Sequence, residues 1–215
     1  MNRNTSYLLA LTIAAAVSLP ASAQNLDHMN LADTTMAVVR NMTLEHLQAE
    51  LDAISSLLTE YEREKRDADH HKQLIIAEVA SIKKEIDILK TKSELAKKEE
   101  RLADRDSLEA YRKEMEIKRD YYEDAANVRD SERRYAEALV DWTEQTRIYF
   151  EKAVQLMEER DRGGREHDLL TLEKEVIEEQ KLAAKRLDKV AGEAGRLASR
   201  REDIFNKREK LRDPD

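Results

Sequence analysis

Cysteine is absent from this 215-residue chain, and proline and glycine are nearly so, at two and four residues. Each scarcity excludes something. Without cysteine there is no disulfide framework, no lipid-modified cysteine and no thiolate metal site. The prolines are Pro20 and Pro214, and the glycines are Gly163, Gly164, Gly192 and Gly195. Residues 21–162 therefore contain neither of the two strongest helix breakers. Aromatics are scarce too, with two Phe and one Trp, which is little ring bulk for a globular core of this length. Also missing are a glycine-rich phosphate loop, a G-x-S-x-G elbow, an H-E-x-x-H pair and an EF-hand loop. These absences argue against an enzyme, and no cofactor is expected.

What is abundant is charge, at 39% of residues, beside 40% hydrophobic residues. A thin apolar stripe on a charged helix has that composition, whereas a disordered chain would lack sustained apolar periodicity. The periodicity is present. Leu44, Leu47, Leu51, Ile54, Leu58 and Tyr61 step alternately by three and four, and so do Val79, Ile82, Ile86 and Leu89. That is the a/d seam of a heptad repeat. Between the two runs, Glu62–Lys72 has Ala68 as its one apolar residue. Leu44 and Val79 nonetheless stand five whole heptads apart, with Ala68 and Ile75 in phase between them. A loop would preserve that register only by chance, so one continuous helix is expected, with Lys65 and Lys72 at seam positions.

The seam fades around Ala103–Ser107, where Asp106 followed by Glu109 has the form of a helix start. A four-residue stutter in an unbroken helix would also explain the offset, and a break is the preferred reading. Beyond it, Tyr121, Val128, Tyr135, Trp142, Tyr149 and Leu156 recur at heptad intervals, with Ala125, Leu139 and Ala153 as companions. Rings facing small residues read as helix–helix core in preference to a glycan-binding ladder. Gly163 and Gly164 then supply the positive φ that ends a helix and reverses the chain. In the last arm, Leu187, Val190 and Leu197 continue the heptads. The expected fold is all-α: an elongated coiled coil of two or three long helices with a helical hairpin at Gly163-Gly164. The helices should span about 43–103, 107–162 and 165–212, with a tail at 213–215.

The first residues look unlike the rest. Arg3, the apolar stretch Tyr7–Leu19 and the small residues Ala21 and Ala23 have the layout of a secretory signal peptide over 1–23. The apolar stretch is shorter than the roughly twenty residues a membrane span needs, so no stable insertion is expected after cleavage. Residues 24–42 form a mixed leader without a clean stripe. Cleavage would remove one of the 38 basic side chains and none of the 46 acidic ones, leaving 37 against 46 and a formal charge of −9. An acidic balance disfavours nucleic acid, which requires a basic footprint.

Asp67, His70 and His71 stand close enough on one helix turn to meet a metal ion together, but a structural site needs a closed shell, and a solvated face is the simpler reading. The functional expectation is an exported, periplasmic or secreted, non-enzymatic protein. It would act as a spacer, scaffold or accessory subunit of a cell-envelope assembly through helix–helix contacts with protein partners, among them further copies of itself. The alternative is a holdase-type chaperone that binds unfolded clients.

Overall fold

The computed structural model describes residues 42–212, and the side chains of residues up to 208. The expected signal peptide, all of the leader except Met42, and the tail 213–215 lie outside the described residues. Those residues form three helices and no strand: α1, Leu44–Lys98; α2, Leu102–Asp161; and α3, Glu166–Arg212.

Their lengths follow from what interrupts them. α1 opens at Thr43, whose extended backbone (φ −82°, ψ 159°) places its hydroxyl to accept from the His46 N–H at 3.3 Å. One of the four unpaired N–H groups at the helix start is satisfied in this way. From there 55 residues run without a breaker, about 80 Å at 1.5 Å per residue. The buried positions Leu47, Ile54, Tyr61, Ala68, Ile82, Leu89 and Ala96 keep a seven-residue spacing throughout, with half-buried Ile75 in the one remaining place.

Helix directions can be read from the ion pairs. Lys65 meets Glu137 at 3.3 Å, Lys72 meets Asp130 at 2.7 Å, and Lys83 meets Glu123 at 2.8 Å. Numbers rise on α1 as they fall on α2, so the two helices run antiparallel. The same holds for α2 and α3, where Lys152 meets Glu175 at 2.8 Å, Asp141 meets Lys189 at 2.8 Å and Glu132 meets Arg201 at 2.8 Å. A further pair joins Asp124 to Lys207. Among the described residues, every ion pair that crosses between helices has one partner on α2. The shared helix is α2.

Both turns close in the same manner. At the first, the Arg101 N–H donates to the Ala96 carbonyl at 2.9 Å and the Glu100 N–H to the Lys97 carbonyl at 3.3 Å. At the second, Gly164 donates to Glu159 at 2.8 Å and Gly163 to Arg160 at 3.0 Å. This nested pair is the Schellman closure, and it places one residue in the left-handed region. Gly163 takes that place at the second turn (φ 72°), while Glu100 takes it at the first (φ 57°). A Cβ on Gly164 would lie 2.9 Å from the Glu159 carbonyl oxygen and closer still to its side chain, so glycine is required there too.

The first break therefore lies at Glu99–Arg101, ahead of the expected 103–107. Asp106 is no cap: it sits inside α2 and binds Arg105 at 2.6 Å, and the residue before the helix is Arg101, which makes no side-chain cap bond. The polar stretch is the exposed first two turns of α2. Glu100 holds a backbone conformation that costs a non-glycine residue roughly 1–2 kcal/mol. Glu100→Gly is accordingly expected to stabilise the protein by about 1 kcal/mol in urea unfolding, and Gly163→Ala to destabilise it by a similar amount.

Candidate functional site

The chemistry-bearing surface of three long helices is their faces, so the question is which face meets what. On α1, the predicted seam residues Leu47, Ile54, Val79, Ile82, Ile86 and Leu89 are buried, while Leu44, Leu51 and Leu58 are half-buried. On α2, Leu139, Trp142, Tyr149 and Leu156 are buried, and Tyr121, Val128 and Tyr135 are half-buried. On α3, Val190 and Leu197 are buried. Leu187 is not: it is 37% exposed and does not belong to the seam. The physical reason is the phase of α3, which buries Val176, Ala183, Val190 and Leu197 at strict heptad spacing. An outer helix with one long neighbour buries little beside that row: among the described residues of α3 only Glu193 joins it, and the companion apolar series stays at the rim.

Sequence reasoning missed a second seam on α2. Ile82, Ile86 and Leu89 of α1 cluster with Met115, and Leu108 and Tyr122 pack against them. Leu108, Met115 and Tyr122 are seven residues apart, and the series continues through buried Ala136, Thr143 and Phe150. It stands one residue out of phase with the Trp142 series, about 100° around the helix. The signal was weak because Arg129 and Thr143 interrupt it. Thr143 is buried without penalty, since its hydroxyl donates to the Leu139 carbonyl at 2.7 Å, and Thr146 does the same to Trp142 at 2.8 Å. Bonded back to its own helix, a threonine packs as an apolar residue.

Where α1 lacks apolar seam residues, charges replace them. The Lys72 ammonium donates to Asp130, and Arg133 and Arg134 stand nearby, so the Asp130 carboxyl is held below the usual carboxylate range. Lys65 likewise donates to Glu137 at 3.3 Å. On the α3 side, burial works to raise the Glu132 carboxyl, but hydrogen bonds from Arg201 and Arg129 overcome it and the net shift is downward. Each of these acids also has a cation on its own helix, Arg134 at Asp130, Arg133 at Glu137 and Arg129 at Glu132, so it stays paired when the partner across the interface is removed.

His70 and His71 are exposed, with ring centroids 6.1 Å apart. Among the described residues no group of three or more His, Asp or Glu side chains is placed to hold a metal ion. None of the described helices is long and apolar enough to cross a membrane. No family model, curated protein or solved structure matches this chain.

Two tyrosines report on the packing. Burial pushes the Tyr149 hydroxyl up to about 12, and burial, reinforced by Tyr135 and Glu64, does the same for Tyr61. A raised folded value means the neutral ring is favoured in the native state. That stability is complete below pH 10, the unfolded value, and is lost as pH rises towards 12. Alkaline unfolding followed by circular dichroism is therefore expected in this window. The double variant Tyr61→Phe/Tyr149→Phe should move its midpoint upward if the loss of the hydroxyls leaves packing intact.

Proposed function

We propose that this protein is an exported, non-enzymatic coiled-coil rod that works as a spacer or scaffold within a cell-envelope assembly. The observation that supports it best is the heptad series of α1 from Leu47 to Ala96, buried at every place but half-buried Ile75 and laid against a 60-residue α2. Helices zipped over that length resist bending, and a stiff element sets a distance between whatever binds its ends or faces. The signal-like residues 1–23 support export, and the acidic balance of the remainder fits a role without nucleic acid.

This reading places partner contacts away from Leu47 and Ile54, because those side chains are already spent inside the chain. Exposed positions must carry them. A second reading, the holdase, draws support from the same exposed residues: seven of the twelve large exposed hydrophobics fall between Leu74 and Ile117. Promiscuous client binding would use such a patch. The two readings part in one assay. As a scaffold, the chain at equimolar ratio leaves the light-scattering trace of an unrelated aggregating protein unchanged. Suppression of that aggregation, lost on Ile88→Glu/Leu95→Glu, would replace the scaffold by the chaperone.

A further inference from the structure

The outer face of α1 changes character part-way along. At one heptad position it reads His46, Ala53, Glu60 and Asp67, and then Leu74, Ser81, Ile88 and Leu95. Leu74, Ile88 and Leu95 are 55%, 53% and 52% exposed, so no described residue covers them. The far half of this apolar part lies beyond the end of α3. Lys207, near the α3 terminus, bonds Asp124 of α2, and in the α1–α2 register that places Lys72 beside Asp130 and Ser93 beside Glu109, Asp124 lies across from about residue 78. Leu74 therefore lies opposite the last turns of α3. Beyond α3, α1 and α2 continue as a bare pair, and there the stripe carries Ile88 and Leu95.

The charges beside the stripe identify what fits it. One flank carries Lys84 and Lys98, and neither forms an ion pair with a described residue. The other flank carries Glu78, Glu85 and Lys92, and the two glutamates are each engaged within the chain through Oε1 alone, by Lys118 at 3.7 Å and by the Tyr111 hydroxyl at 2.9 Å. When two such helices pair antiparallel about the middle of the stripe, like flanks meet, so Lys84 faces Lys84 and Glu85 faces Glu85, while Glu78 faces Lys92. When they pair parallel and in register, Lys84 of one copy faces Glu78 and Glu85 of the other. The stripe is complementary to itself in the parallel sense.

We propose that a second copy of this chain packs parallel and in register along the Leu74–Ser81–Ile88–Leu95 stripe of α1, which runs into the two-helix stretch beyond the end of α3. The pairing depends only on the phase of α1, and is independent of the compartment and of the scaffold role. Burying three leucine-sized residues and one serine over four heptad places on each copy gives a modest association, so assembly should depend on concentration.

Sedimentation equilibrium of the full chain tests it. A monomer–dimer equilibrium is expected, and Ile88→Glu/Leu95→Glu should weaken it on the order of 100-fold while circular dichroism stays unchanged, since both side chains are exposed. The absence of native cysteine makes orientation accessible. Under mild oxidation, Ser81→Cys and Leu95→Cys should each cross-link to themselves, whereas Ser199→Cys on α3 should not. A chain that stays monomeric throughout overturns the proposal. So does a dimer indifferent to the double glutamate variant, or self-linking by only one of Ser81→Cys and Leu95→Cys, which is the signature of an antiparallel pair.

Discussion

The structure depends on α2 meeting two neighbours at once. Its two buried series, one running through Met115, Tyr122, Ala136 and Phe150 and the other through Trp142, Tyr149 and Leu156, differ in phase by a single residue. One residue is about 100° of helix, enough to give α1 and α3 separate sides of α2 without sharing a contact row. Residues between the two series, Leu139, Thr146 and Ala153, are buried as well. A helix with two seams has to be apolar over a wide arc, and α2 achieves this with small residues and back-bonded threonines where bulk would not fit. Its outer partners need only one narrow stripe each, and on α3 that stripe is the heptad row from Val176 to Leu197 with Glu193 beside it.

Charge does in the middle of α1 what leucine does elsewhere. Lys65 and Lys72 interrupt the apolar seam, and each reaches an acid on α2. Such pairs add little net stability when half-exposed. Their effect is to neutralise the charge at the seam: Glu123, Asp130, Glu137 and Glu144 stand at heptad intervals on α2, so each lysine meets an acid wherever whole heptads are aligned. Both turns close by the same hydrogen-bond pattern, so the two neighbours of α2 are attached by short, well-defined connections.

How much of this could be read from the residues differs from element to element. The continuity of α1 through its charged middle was legible, because phase survives when hydrophobicity does not. The second turn was legible in Gly163 and Gly164. The first turn was not, since Glu100 adopts a left-handed conformation with no glycine to announce it, while Asp104, Asp106 and Ser107 imitate a helix start a few residues on. The seam of α2 towards α1 was hidden by Arg129 and Thr143, which look polar until their surroundings are known. Leu187 erred in the opposite way: an apolar residue near the right phase was assigned to a seam that α3 is too peripheral to have. Heptad spacing reveals that a helix is covered; which neighbour covers it depends on tertiary contacts that spacing does not encode.

A spacer function is a claim about rigidity and register, and both come from the two antiparallel pairings along α2. The most direct test is intramolecular cross-linking in dilute solution with a short bifunctional thiol reagent. Two double variants are needed, Lys72→Cys/Asp130→Cys for α1 with α2 and Asp141→Cys/Lys189→Cys for α2 with α3. The account predicts that both form an internal link within one chain at high yield. Links that form only between chains, or a failure of either pair to link while the protein remains helical, would contradict it.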